Sequence, residues 1–200
     1  MDSKEGAVKM REHYNKRGDE YICGKGSLLD NTAEIREFIE KIIKEYNIKS
    51  INDAACGSFN WMSEVNLTGV KYVGFDIDSG LLDKNRERYP EVGFRNFDIV
   101  GQILPRADLI ICRDVLFHLL DIDVITVINN FRKSKSRFLL ATTHVSPKNI
   151  DITQSGHKMY SKNYGFTEKR NLFLPPFNME ECIDYVREEQ FDRLCALWRL

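Results

Sequence analysis

Three aspartates stand where expected β-strands end. Asp53 closes Ser50-Asp53, Asp76 follows Val70-Phe75 and Asp98 follows Val92-Asn96. An ionised carboxylate only accepts hydrogen bonds. Asp76 therefore suits the paired hydroxyls of a ribose, and Asp98 suits an exocyclic amine such as that of adenine. Around Asp53-Ala54-Ala55-Cys56-Gly57-Ser58 the residues are small, as they must be where a backbone turns sharply and approaches a ligand. A fourth strand, Ala107-Cys112, runs into Arg113-Asp114-Val115-Leu116-Phe117-His118. A helical turn starting at Asp114 would set His118 on the same face, where a carboxylate orients an imidazole or raises its pKa. His144, after a fifth strand at Arg137-Thr142, is a second candidate base. A strand-end Asp also serves as a helix cap. Cys56 reads as packing, and Trp61 reads as core.

The elements that must position these groups are legible in the apolar pattern. Ile35, Phe38, Ile39, Ile42, Ile43 and Tyr46 recur at helical spacing and predict a helix over 32–46, with Asn31 and Glu34 as a capping pair. Further helices are expected through Trp61, at 79–88 and at 121–132. Their alternation with strands predicts a doubly wound α/β sheet, mostly parallel and covered on both faces. In the tail, 171–178 (NLFLPPFN) and 191–200 (FDRLCALWRL) read as an antiparallel pair at one sheet edge.

The 200 residues read as one domain, with 1–30 as an N-terminal lid and 145–190 as an acceptor-binding region. There are 29 Lys+Arg against 30 Asp+Glu, a balance that argues against a dedicated nucleic-acid binder. No apolar run approaches a membrane span, and the polar N-terminus is unlike a signal peptide. The five cysteines are scattered and form no C-x-x-C pair, so neither a disulfide framework nor a zinc site is expected. These features predict a cytoplasmic protein.

DAACGSFNWM, YVGFDID, FRNFDI and ADLIICRDVLFHL, in this order over about residues 50–143, resemble successive motifs of class I S-adenosylmethionine (SAM)-dependent methyltransferases. The usual glycine-rich turn is degenerate: Ala55 and Phe59 stand at two of its glycine positions. SAM has no phosphate, so a relaxed turn costs it little, whereas a nicotinamide cofactor normally needs the full turn. The resemblance implies a Rossmann-like methyltransferase sheet, SAM as cofactor and S-adenosylhomocysteine (SAH) as product. It places Asp53, Ala54 and Gly57 beside the methionine part and Asp76 on the ribose with Ile77 against the adenine. Asp98 and Ile99 would bracket the adenine, and Arg113 would lie near the sulfonium. Tyr21, Lys25 and Gly26 resemble a segment that closes over SAM.

Methyl transfer requires alignment of donor and acceptor and removal of a proton from a hydroxyl acceptor. Asp114, His118 and His144 are the candidates. Asp114 and His118 are similar in spacing to a pair in phosphoethanolamine methyltransferases. Asn149, Asp151, Arg170 and Asn171 are candidate acceptor contacts. The stretches 149–152 and 171–178 resemble compact methyltransferases of glycan modification, some of them viral, that act on sugars such as rhamnose. That resemblance implies O-methylation of a sugar hydroxyl, with a glycosyltransferase as partner or fusion. No metal-ligand cluster is visible, so metal-independent catalysis is expected. The competing readings are a small-amine N-methyltransferase, using Lys158, Lys162, Lys169 and Arg170 as a phosphate pocket, and a non-catalytic SAM-binding module.

Overall fold

A computed structural model describes residues 23–150 and 169–200, with the backbone alone at 160–161 and 165–166. Seven strands form one sheet: β1 (Ser50–Ala54), β2 (Lys71–Asp76), β3 (Gly93–Asn96), β4 (Leu109–Cys112), β5 (Phe138–His144), β8 (Asp184–Glu188) and β9 (Arg193–Arg199). Their order across the sheet is β3-β2-β1-β4-β5-β9-β8. The first five run parallel, while β9 lies antiparallel to both β5 and β8. A separate short pair joins β6 (Tyr160–Ser161) to β7 (Gly165–Phe166).

Both faces of the sheet are covered, which is why β4 is apolar and buried at every position. Helix α1 (Ala33–Glu45) buries Ile35, Phe38, Ile39 and Ile42 against Ile51, Leu109, Ile111, Leu140 and Leu197. Helix α2 (Ser79–Arg88) adds Leu82 to that core. Helix α3 (Asp121–Lys133) buries Val124, Val127, Ile128 and Phe131 against the other face, beside Ile110, Leu139, Ala141 and Trp198. Asp121 and Asp123 in its first turn, with Arg132 and Lys133 in its last, complement the helix dipole.

Local details depart from the sequence reading in four places. Thr32, not Asn31, precedes α1; the Asn31 side chain instead donates to the Lys25 carbonyl at 2.9 Å. The expected helix through Trp61 is a 3-10 turn at Met62–Glu64. Asp114 starts no helical turn: it adopts φ 60°, and a 3-10 turn follows at Leu116–His118. The stretch 171–178 is a run of turns rather than a strand. Pro175 and Pro176 have no N–H for a ladder, and Asn171 accepts from Phe173 N at 3.1 Å through its own side chain. Leu172, Phe177 and Met179 thereby plug the α3 side of the core. The partner of β9 is instead β8, whose Asp, Arg and Glu disguise an edge strand.

Candidate active site

The carboxyl ends of β1, β2 and β3 lie side by side: Ala54 pairs with Phe75, and Asp76 with Asn96. Gly57 turns back from β1 at φ 57°, and its N–H donates to Asp76 Oδ2 at 3.1 Å. The other Asp76 oxygen accepts Asp78 N at 3.0 Å. Two backbone donors thus aim this buried carboxylate at the carboxyl end of β2. Asn85 Nδ2 holds the Gly57 carbonyl at 2.7 Å. Ile77 and Ile99 stay partly exposed near Asp76 and Asp98, and Asp98 shapes its own turn by accepting Val100 N at 3.0 Å.

Asp53 is buried and accepts the Tyr72 hydroxyl at 2.7 Å. Burial pushes its carboxyl up to about 7; the Tyr72 hydrogen bond opposes the shift and the Asp76 charge adds to it. Phe59, at a degenerate glycine position, has φ 57° and packs its ring among Tyr72, Tyr89 and Phe94. An aromatic cluster therefore supports the turn from beneath.

Beyond β4 lies a group of four charges. Glu188 accepts from Arg113 Nη2 at 2.5 Å and from Arg193 Nε at 2.9 Å. Asp114 lies 2.8 Å from Arg193 Nη2 and 3.4 Å from Arg113 Nη1, and it accepts the Thr142 hydroxyl at 3.1 Å. Burial would raise the Asp114 pKa, but the two guanidiniums and Thr142 outweigh it and hold the carboxyl below its ordinary value. Asp114 is thus a fixed anion and a poor proton acceptor. Burial opposes the charge on Arg113, yet Asp114 and Glu188 keep it protonated. Its guanidinium lies 5.2 Å over the Trp61 ring, and its side chain is 3% exposed. Arg113 is therefore engaged by Asp114, Glu188 and Trp61 within the protein.

His118 is partly exposed on the 3-10 turn after β4, near enough for Asp114 to feel its charge. The Phe117 ring lies tilted beside it, with centroids 4.3 Å apart. His144, at the end of β5, meets the edge of the same Phe117 ring at 5.4 Å. The structure thus gathers Asp114, His118 and His144 into one region. The His144 Nδ1 accepts Arg170 N at 3.2 Å, so the neutral ring carries its proton on Nε2. That tautomer offers no lone pair toward an acceptor.

Three of the expected acceptor contacts make hydrogen bonds within the loop. Asn149 donates to the carbonyls of Asn171 and Pro175, each at 2.8 Å, and accepts Asn171 N at 2.8 Å. The Asn171 side chain donates to Ser146 O at 2.7 Å. Arg170 is fully buried, with Nη2 2.8 Å from Asp121. A long loop buries backbone carbonyls, and these three side chains satisfy them. Asp151 and Tyr21 lie outside the described residues.

In the N-terminal segment, Lys25 is exposed and Gly26 rests on the charge group. A Cβ on Gly26 would stand 2.6 Å from Asp114 Oδ2 and 3.2 Å from Arg193 Nη2. Cys23 Sγ accepts Ser58 N at 3.1 Å, so the segment also covers the glycine turn. Sequence reasoning missed Cys23, Tyr72, Thr142, Glu188 and Arg193. The only available signal was the opposite charge of Glu188 and Arg193 flanking a short hairpin.

No protein-family model matches the sequence, and no curated protein matches it. Solved structures do share the fold. Magnesium protoporphyrin IX methyltransferase (ChlM) from Synechocystis PCC 6803, with bound SAH, superposes with a TM-score of 0.51 at 17% identity, over 70% of this chain and 67% of that one. TehB from Haemophilus influenzae gives 0.59 at 16% identity, over 84% and 63%. Human N-acetylserotonin methyltransferase in complex with SAM gives 0.54 at 14% identity, over 98% and 65%. The chain thus spans about two thirds of the length of these structures. Its fold is the Rossmann-like α/β fold of SAM-dependent methyltransferases.

Proposed function

We propose that this chain is a SAM-dependent O-methyltransferase with His118 as general base. The observation that carries the reading is the Asp76 carboxylate, aimed by Gly57 and Asp78 N–H groups at the carboxyl end of β2. Ligands of open α/β sheets bind there. The residues present fit SAM. Asp76 holds paired hydroxyls, Ile77 and Ile99 offer apolar contact to a base, and Asp98 accepts from its amine. The tight Gly57 turn admits the amino-acid part.

Bound SAM supplies a methyl group on a positively charged sulfur. His118 takes the acceptor proton, and the fixed Asp114 anion stabilises the imidazolium that forms. The charge group of Arg113, Asp114, Glu188 and Arg193 is neutral overall, so it adds no net cation beside the sulfonium. Gly26 and Cys23 bring the N-terminal segment against this region.

The acceptor we favour is a sugar hydroxyl, with a glycosyltransferase as the functional partner and a cytoplasmic location. Its support is the sequence resemblance at 149–152 and 171–178. Among the described residues no helix is long and apolar enough to cross a membrane. Of the cations in the amine alternative's phosphate pocket, Arg170 is buried against Asp121, and Lys169 makes an exposed pair with Asp192 at 2.7 Å. Lys158 and Lys162 lie outside the described residues. Isothermal titration with SAM tests cofactor binding, and SAH release over a panel of sugars, phenols, amines and peptides tests the acceptor. Absence of SAM binding sinks the whole reading; turnover of amines alone sinks O-methylation.

A further inference from the structure

The Phe117 ring contacts two imidazoles, 4.3 Å from the His118 ring and 5.4 Å from the His144 ring, the latter edge-on at 81°. The chain treats the two differently. His144 is clamped by Arg170 at both ends of the backbone contact. His144 N donates to the Arg170 carbonyl at 2.7 Å, and Arg170 N donates to His144 Nδ1 at 3.2 Å. Arg170 is itself fixed, because its buried guanidinium reaches the carbonyls of Leu119 and Ile150, each at 3.3 Å, and Asp121 at 2.8 Å.

A neutral imidazole that accepts at Nδ1 must donate at Nε2. The His144 Nε2 has no hydrogen-bond partner among the described residues. Along β5, His144 shares a face with Thr142, whose hydroxyl holds Asp114. Nε2 is therefore a fixed donor beside the Phe117 ring, on the face of β5 that carries Thr142. The charged groups around it are Arg193, opposite in register on β9, with Lys169, Asp114 and Asp192. Burial first, then Arg193 and Lys169, lower its pKa, so the donor form persists at neutral pH.

We propose that the acceptor carries two adjacent oxygens, a vicinal diol, one methylated after losing its proton to His118 and the other accepting the Nε2–H of His144. This rests on the methyl-transfer reading above. In the step, the hydroxyl oxygen forms the new O–CH3 bond as the S–CH3 bond breaks. The electron pair stays on sulfur, and the hydroxyl proton passes to His118. His144 changes neither charge nor tautomer: it orients the acceptor. The class includes sugars and catechols and excludes isolated hydroxyls.

The test uses the full chain with SAM and four acceptors: catechol and methyl α-rhamnopyranoside as diols, phenol and cyclohexanol as single hydroxyls. One hydrogen bond corresponds to about tenfold in binding, so kcat/KM for at least one diol should exceed that for the single hydroxyls by ~10-fold or more. H144F, which removes the donor, should raise the diol KM by ~10-fold with little change in kcat. H144Q, which keeps an N–H near the ε position, should restore most of the loss. Nitrogen-15 NMR of the imidazole in the wild-type protein should show the proton on Nε2 across neutral pH, a readout independent of any variant's folding. Equal turnover of diols and single hydroxyls overturns the proposal. So do an Nδ1–H tautomer, or an H144F defect confined to kcat with a shifted pH profile. SAM binding without turnover of either diol also overturns it, while leaving the cofactor reading intact. Failure to bind SAM would instead strike the parent reading.

Discussion

The Asp114 carboxylate lies 2.8 Å from the Arg193 guanidinium, joining the tip of β4 to the start of β9 across the end of β5. Glu188 completes the arrangement by holding both Arg193 and Arg113. An anion pinned by two guanidiniums makes a better electrostatic support than a base, and the proposed function accordingly gives proton removal to His118. Each consequence can be measured.

Asp76→Ala should weaken SAM binding sharply. Hydrogen bonds to a charged group contribute about 1.5–3 kcal/mol each, so a loss of ~10–100-fold or more in affinity is expected by isothermal titration. Unchanged affinity would remove the ribose role.

His118→Ala should lower kcat by about 10²–10⁴-fold, the usual contribution of general acid–base catalysis, while SAM affinity stays near the wild-type value. Steady-state kinetics with titration of the cofactor separate the two effects. Retained turnover would exclude this imidazole as the base.

Glu188→Gln strips one carboxylate from two buried guanidiniums. Breaking a buried pair from one side costs about 3–5 kcal/mol, to be read in urea unfolding. A loss below about 0.5 kcal/mol, typical of a neutral surface change, would show that the group contributes little to folding.

Gly26→Ala forces a Cβ to within 2.6 Å of Asp114 Oδ2. Overpacking of this kind costs about 1–3 kcal/mol, and here the N-terminal segment absorbs it by lifting. Faster limited proteolysis around residues 23–31 and weaker SAM binding are expected, with the urea midpoint nearly unchanged.

Asp53 gives a pH signature. Its folded pKa of about 7 lies above the ordinary 3.8. The stability it contributes is therefore fully present below pH 3.8 and is lost as the pH rises through 7. A neutral amide at this position mimics the protonated carboxyl. Without SAM, Asp53→Asn should match the wild type near pH 4 and exceed it near pH 8, by a margin on the order of 4 kcal/mol. Parallel urea curves that do not diverge with pH would refute the shift.

The order of strands and helices, the aspartates at the ends of β1 and β2 and after β3, and the apolar faces of α1 and α3 were legible in the sequence alone. These features depend on periodicity and on short-range turn chemistry, which neighbouring residues encode. Asp114 near His118 was also anticipated, though through a helical turn that does not form. Tertiary structure decided the rest. Asn149, Arg170 and Asn171 read as acceptor contacts in the sequence, and only the fold shows that they satisfy carbonyls that a long loop would otherwise bury unpaired. Glu188 and Arg193 look like surface hairpin charges until β8 and β9 fold against β5 and carry them to Asp114. Which polar atom faces a ligand and which faces the chain depends on contacts between residues far apart in sequence, because burial makes every unpaired polar group costly and only the assembled sheet determines where its partner lies.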